Sequence, residues 1–491
     1  MKNLSKLPEQ GMDKDKLFDY MEEQKVNDTS WRDGKTFCLV YDGGPEISEV
    51  IKTAYTMFMS ENGLNPSAFP SLRKFENDIV SMCAHHLNGD KNVSGSMTSG
   101  GTESILLANK TAREWAKKNR PEITKPQIVM PITAHPAFNK AAYYFGLEVI
   151  TTPVSDDYRA DIKAMKNAIT DQTIMLVGSA PNYPFGVIDP IEEIAKMAQE
   201  KNILCHVDCC IGGILLPLFK KLGKELPNFD FTVPGVTSIS VDLHKYAYAA
   251  KGASVVLYKN KDLRQHQFFA TTNWPGGMYG SPTMTGTRPG GAIAAAWAIM
   301  NYLGETGYLK LAKTIKDTTE EFTKRIKSTP GIEVATAPDM SIICLISKDL
   351  DIYQVGDEMS VRGWYMDRQQ FPASLHLTIM AGHAKSIDQF FIDLNESILE
   401  VRKLTSKFSG LKTKMAKGMI KTMPKKMVSK MVEKEGDNIA KQGGEVPKKS
   451  AAMYGMMAAI DNQSDLKSLV IKIIDSFFTP KREDNSKEIS P

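Results

Sequence analysis

The sequence contains no apolar run approaching the ~20 residues that a membrane-spanning helix needs. Its first residues, MKNLSKLPEQGMDKDK, lack the apolar core of a secretory signal. Cysteine is scarce, with six in 491 residues (Cys38, Cys83, Cys205, Cys209, Cys210, Cys344), which excludes a disulfide framework as the source of stability. Charge of one sign is lacking too: 61 basic side chains stand against 57 acidic ones, and a net charge of +4 gives no case for a nucleic-acid partner. No internal repeat is visible. Together these absences lead us to expect a reduced, cytoplasmic protein. With 42% hydrophobic and 24% charged residues, the chain is long enough to build two or three domains around a large core.

From about Lys91 to Asn260 short apolar runs alternate with amphipathic stretches. QIVMPITA, LEVITTPV, TIMLVGSA, ILCHVDCC, SISVDL and ASVVLYK are short and rich in β-branched residues, as strands buried on both faces are. AFNKAAYYFG, ADIKAMKNAI and PIEEIAKMAQEKN between them carry a helical period. Alternating strand and helix predicts an α/β fold with a mainly parallel sheet, whose ligands collect at the carboxyl ends of the strands. After Gly304 the texture changes to a long charged helix, YLKLAKTIKDTTEEFTKRIKS, followed by IEVAT, SIICLIS and SLHLTIMA. We therefore expect an amino-terminal helical arm over 1–60, a large domain over 61–304, a smaller α+β domain over 305–410, and a Lys/Met-rich segment with a final helix over 411–491.

Four motifs at strand ends carry polar or glycine-rich chemistry. Ser99-Gly100-Gly101-Thr102 runs straight into an amphipathic helix; it is either an ordinary glycine turn with Thr102 as cap, or a cradle for an anion at a helix start. His135 ends a strand and opens a helix, where an imidazole serves as cap or packing residue, or stacks on a planar ligand. In HVDCCIGG, Asp208 sits in an apolar stretch and needs a cation, either a structural partner or a protonated pyridine nitrogen. A metal site of His206, Asp208 and Cys210 is set aside because no second ligand cluster lies nearby. In SISVDLHKYAYAAKGASVVLY, Lys245 follows a strand, with His244 before it and Lys251 after. It is a surface lysine in a turn or a Schiff-base lysine, whose amine would be partly neutralised by burial and nearby cations. His244 and Ser240 could add donors to a phosphate. Phosphate loop, stacking histidine, aspartate, then histidine-lysine is the order that pyridoxal 5'-phosphate requires.

Longer stretches extend this reading: LNPSAFPSLRKFENDIV, TSGGTES, AHPAFNKAAYYFG, APNYPFGVIDPI, HVDCCIGG, DLHKYAYAAKGASVVLY, FFATTNWPGG, YGSPTMTGTRPGG and a late AAMYGM. Through them the chain resembles the fold-type I pyridoxal-phosphate enzymes of the decarboxylase group, and within that group the sphingosine-1-phosphate lyases. The resemblance implies that Lys245 forms the Schiff base, Asp208 pairs with the pyridine nitrogen, His135 stacks on the ring, and Cys210, on the same strand face as Asp208, backs it from the other side. It implies that Gly101, Thr102 and His244 hold the cofactor phosphate, with Ser281 or Thr287 of the partner subunit in a homodimer. Tyr41, Asn62, Tyr183 and Lys251 match positions lining the substrate site, Lys251 toward the substrate phosphate and Tyr183 toward the reacting hydroxyl. One departure stands out: where the lyases carry Asn-x-x-His, this chain reads Asn62-Gly63-Leu64-Asn65. The eukaryotic relatives also carry an amino-terminal membrane span that is not seen here.

The reaction this implies is retro-aldol cleavage of a phosphorylated sphingoid base. An amino-acid decarboxylase would share the cofactor motifs but should want an arginine-like anchor for a carboxylate in place of Lys251 with Tyr41. A catalytically idle binding protein would not need Lys245 and Asp208. In LKTKMAKGMIKTMPKKMVSKMVEK, methionines recur every four residues beside lysines, broken by Pro424. That pattern fits helices packed on the protein body, or a peripheral contact with an anionic membrane.

Overall fold

The computed structural model describes residues 7–407, 449–451, 454 and 463–480; the Lys/Met-rich stretch up to residue 448 lies outside them. The chain forms two compact units. The larger comprises residues 32–348 and 375–391, and the smaller comprises 1–31, 349–374 and 392–491.

The larger unit is organised by a seven-stranded sheet: β1 (Ser94–Thr98), β2 (Gln127–Pro131), β3 (Glu148–Thr152), β4 (Thr173–Ser179), β5 (Leu204–Asp208), β6 (Ser238–Asp242) and β7 (Ser254–Tyr258), in the order β1-β7-β6-β5-β4-β2-β3. The five strands from β6 to β3 are parallel. Every residue of β4, β5, β6 and β7 is buried, which is why these strands read as continuous apolar runs without alternation. The expected runs coincide with β2 to β7. β1 was not among them, because SGSMT is built of small residues that carry little strand signal.

Helices Ala137–Phe145, Ile162–Ala168 and Ile191–Glu200 connect successive strands, as the amphipathic patterns predict. β6 and β7 are different. Only residues 243–253 separate them, too few for a helical crossover, so β7 turns back antiparallel to β6 and β1 pairs antiparallel with its far side. This tight return holds the His244-Lys245 pair at the sheet's carboxyl edge.

Helix Gly290–Lys327 is interrupted at Gly304 (φ 53°, ψ −175°), where the sequence texture changes. In the same unit, Ile342–Ile346 pairs antiparallel with Glu333–Val334 and with the strand ending at Thr378. In the smaller unit the buried Trp364 donates its indole N–H to Asp393 at 2.7 Å, and Arg368 pairs with Asp357 at 2.7 Å. The late AAMYGM motif is anchored there as well, because Asp357 accepts the Ser450 and Ala451 amides at 2.9 and 3.0 Å.

Candidate active site

Where β2, β4, β5 and β6 end, a cavity of about 290 Å³ opens in the larger unit. Its walls carry Tyr41, His135, Tyr183, Asp208, Cys210, His244, Lys245 and Lys251, together with Leu39, Ser179, Pro181 and Ile211. Eight of the residues singled out in the sequence thus share one chamber, although they span more than 200 positions of chain. His135 is oriented by the Ala137 amide, which donates to its Nδ1 at 3.2 Å. Tyr183 stacks on the buried His376 with ring centroids 4.1 Å apart. Tyr41 packs edge-on against Tyr246 at 5.1 Å, and burial pushes its phenol up to about 12.

Asp208 is the last residue of β5, and its Oδ1 accepts the Cys210 amide at 3.0 Å and the Ser240 hydroxyl at 3.3 Å. Behind it the buried His206 lies between Ser238 (2.9 Å) and Ser240 (3.2 Å), and burial lowers its imidazole to about 4. The Ser240 hydroxyl is therefore spent on Asp208; it is not the phosphate donor expected from the sequence. Cys210 is also not on a strand face with Asp208, because β5 ends at Asp208 and the chain turns. Its thiol points to Ser240 at 3.3 Å, and burial pushes its pKa well up.

Lys245 departs most from expectation. Its ammonium lies 2.8 Å from Oδ2 of Asp242, the last residue of β6, whose side chain is 3% exposed. Burial opposes the charge on Lys245, but Asp242, with Tyr41 and Cys210, outweighs it and holds the pKa above the ordinary lysine value. Where the sequence suggested partial neutrality from burial and neighbouring cations, the contact with Asp242 favours the ammonium. In the sequence Asp242 is only a residue near the end of the strand-like run SISVDL. An acid three residues before the lysine was the signal, and the turn after β6 is what brings the two together.

His244 hydrogen-bonds the Ala253 carbonyl through Nδ1 at 2.8 Å, while its Nε2 lies 3.8 Å from Asp242. Lys251 donates to the carbonyl of Leu39 at 2.8 Å, with the His244 carbonyl at 3.4 Å, and its ammonium stands over the Tyr41 ring at 5.5 Å. Burial draws the Lys251 amine below its usual value.

The remaining sequence candidates do not line the cavity. Gly101 and Thr102 open helix Gly101–Asn119, whose Gly100 cap brings no side chain to the first amides. Glu103 ties the loop down by accepting the Ser99 amide and hydroxyl, both at 2.6 Å. A side chain at Gly101 would meet both Asp242 carboxylate oxygens and the Cys210 sulfur, so the helix start rests directly on the lysine's counter-ion. Asn62 accepts the Leu64 and Arg288 amides and reaches Thr287 at 3.4 Å. Asn65 accepts the Ser67 and Ala68 amides at 2.9 and 3.2 Å, and so shapes the turn before helix Pro70–His86. Ser281 donates to the Thr283 carbonyl at 3.0 Å.

The profile of the pyridoxal-dependent decarboxylase conserved domain matches residues 5–348. The sphingosine-1-phosphate lyase of Arabidopsis thaliana is 44% identical over 404 residues, covering 81% of this chain and 74% of that protein. The chain belongs to the pyridoxal-dependent decarboxylase family, among the sphingosine-1-phosphate lyases. Rat sphingosine-1-phosphate lyase 1 is 43% identical over 81% of this chain and 70% of its own length. The solved sphingosine-1-phosphate lyase of Burkholderia pseudomallei superposes with a TM-score of 0.79 at 37% identity, covering 84% of this chain and 96% of that one. Lactobacillus brevis glutamate decarboxylase, at 19% identity and a TM-score of 0.71, shares the fold. The protein is accordingly a pyridoxal-phosphate-dependent lyase with the fold-type I architecture.

The cytoplasmic expectation drawn from composition does not stand against the sphingosine-1-phosphate lyases of rat and yeast among the relatives. Among the described residues no helix is long and apolar enough to cross a membrane.

The residues present fit pyridoxal phosphate. Asp208 is a buried carboxylate on the cavity wall that no side-chain cation pairs with among the described residues, as a pyridinium partner must be. Lys245 offers an amine beside it, His135 a flat ring, and the Gly100-Gly101 helix start a set of uncapped amides suited to a phosphate.

Proposed function

We propose that this enzyme cleaves phosphorylated long-chain amino alcohols of the sphingosine-1-phosphate type by a retro-aldol reaction, releasing a long-chain aldehyde and phosphoethanolamine. The observation that carries the reading is the gathering of Tyr41, Tyr183 and Lys251 in the same chamber as Lys245 and Asp208. A decarboxylase needs an anchor for a substrate carboxylate. A retro-aldol lyase needs a base for a hydroxyl and a cation for a phosphate, and this chamber lends itself to the second set.

Once bound, pyridoxal phosphate supplies an electron sink next to the substrate's amine-bearing carbon. The protein's part is to hold and move protons around it. Asp208 would keep the pyridine nitrogen protonated, with His135 and Cys210 beside the ring. Gly101, Thr102 and His244 would hold the cofactor phosphate. Tyr183, set by its stack on His376, faces the hydroxyl whose proton must leave as the carbon–carbon bond breaks. The bonding pair stays on the amine-bearing carbon, and a proton delivered there completes phosphoethanolamine. Lys251 retains donor capacity for the substrate phosphate beside its carbonyl partners.

A homodimer completes this proposal. The hairpin Phe269–Ser281 exposes Phe269, Trp274 and Met278, an apolar surface of the kind a second copy covers. Peripheral membrane contact by the Lys/Met-rich segment rests on its sequence pattern alone.

The test is product analysis. The purified enzyme is incubated with a phosphorylated sphingoid base and, separately, with acidic and aromatic amino acids. Long-chain aldehyde with phosphoethanolamine in equal amounts is the expected result; carbon dioxide from the amino acids and no aldehyde would overturn the reading.

A further inference from the structure

Asp242 is a buried acid that nothing in the cleavage chemistry requires. It closes β6 at the carboxyl edge of the sheet, with Oδ2 2.8 Å from the Lys245 ammonium and 3.8 Å from His244 Nε2. Its Oδ1 is buried with no hydrogen-bond partner at bonding distance among the described residues. Ser254, opposite in the strand register, has its hydroxyl 2.9 Å from both the Val241 carbonyl and the Ser104 hydroxyl. From above, Gly101 presses on both oxygens, since a Cβ there would lie 2.7 and 2.8 Å from them. The carboxylate therefore cannot swing out to water. A charge so enclosed needs a cation, and Lys245 is the one at contact distance.

We propose that Asp242 is the resting counter-ion of Lys245 and a positioning residue for cofactor capture: it parks the amine as an ammonium at the cavity wall, and the cofactor aldehyde has to draw that amine away from a carboxylate. The chemistry balances simply. The ammonium gives up a proton to solvent, and the neutral amine forms a carbon–nitrogen double bond with the aldehyde carbon. The aldehyde oxygen leaves as water. Only the neutral amine can attack, so the carboxylate slows capture at neutral pH and in return keeps an otherwise nucleophilic lysine unreactive. The enclosure also fixes where the amine waits, so capture begins from one geometry. Other titratable groups face the pair: His244 beside it, Tyr41 and Cys210 across it, and Lys251, His135 and Asp208 around the chamber. Of these, Asp242 alone makes an ion pair with the amine.

The experiment uses full-length protein freed of cofactor by dialysis against a carbonyl scavenger. It is mixed with pyridoxal phosphate at a series of pH values while the visible band of the lysine imine is followed. In the wild type the capture rate should rise close to tenfold per pH unit from about pH 7 to 9 without levelling, as expected when only a small neutral fraction reacts. Asp242→Asn keeps an oxygen toward the amine but removes the charge. Its capture rate at pH 7.5 should be at least about tenfold faster, levelling at lower pH, because a lysine pKa lowered by one unit has ten times more neutral amine. The same shift should appear with pyridoxal, which lacks the phosphate. A gain confined to pyridoxal phosphate would mean that Asp242 merely repels the cofactor phosphate, and would overturn the proposal. Identical pH profiles in variant and wild type would overturn it as well. Should the variant fail to fold, the wild-type profile decides: levelling below about pH 8 would show that no carboxylate holds the amine.

Discussion

Replacing Gly101 with alanine adds one methyl group at the most crowded point of the site. Its Cβ would lie 2.7 and 2.8 Å from the Asp242 carboxylate oxygens and 2.8 Å from the Cys210 sulfur. All three are too close for carbon, so helix Gly101–Asn119 must lift or Asp242 must shift. Either movement lengthens the 2.8 Å contact to Lys245 or displaces the amides suited to the cofactor phosphate. Overpacking of a filled site costs ~1–3 kcal/mol, which as lost affinity raises the cofactor Kd roughly 5- to 150-fold. The assay is a titration of cofactor-free, full-length protein with pyridoxal phosphate, read by the visible band of the bound form. Gly382→Ala is the control, since nothing lies within 4 Å of a Cβ there, and it should bind cofactor as the wild type does. A Gly101→Ala protein with a Kd within twofold of the wild type would refute the claim that the glycine is required for close approach.

Lys245→Ala should leave the fold intact but abolish turnover and the visible absorbance of the bound cofactor, because the amine is the covalent anchor; a variant that kept both would exclude Lys245 from that role. Tyr183→Phe keeps the stack on His376 and removes the hydroxyl, so kcat should fall about 10²–10⁴-fold while KM changes little, the usual reach of one acid–base group; an unchanged kcat would pass the proton transfer to another group. Stability should fall in acid. Burial lowers His206 and His383 to about 4 and His376 to about 3, against 6.5 unfolded. Depressed folded values contribute stability that is present above pH 6.5 and lost as pH falls from 6.5 toward those values, so each ring should cost about 2 kcal/mol between pH 7 and pH 5. Denaturant unfolding at the two pH values measures this, and a His376→Gln protein should lose less than the wild type. An equal loss in both would mean that His376 is accessible to protons in the fold.

The sequence by itself determined the sheet's buried strands, the helices between them and the order of the cofactor motifs, because these depend on local properties. A strand buried on both faces must be apolar along its length, and a helix must repeat its apolar face, whatever lies across the fold. Hence β2 to β7 and the glycine loop before helix Gly101–Asn119 were placed by pattern alone. What the pattern could not carry were distances between residues remote in the chain and the direction of each polar side chain. Tyr41 and Lys251 meet only because the sheet and its covering helices pack as they do. Ser240 turned to the buried Asp208, and Asn65 to the exposed amides of its own turn, because each found a partner close at hand. Asp242 and Lys245 became an ion pair because packing around Gly101 shut water out, and a carboxylate deprived of water takes the nearest cation. That desolvation is a property of the assembled fold, and it is decided where the chain packs rather than where it is spelled.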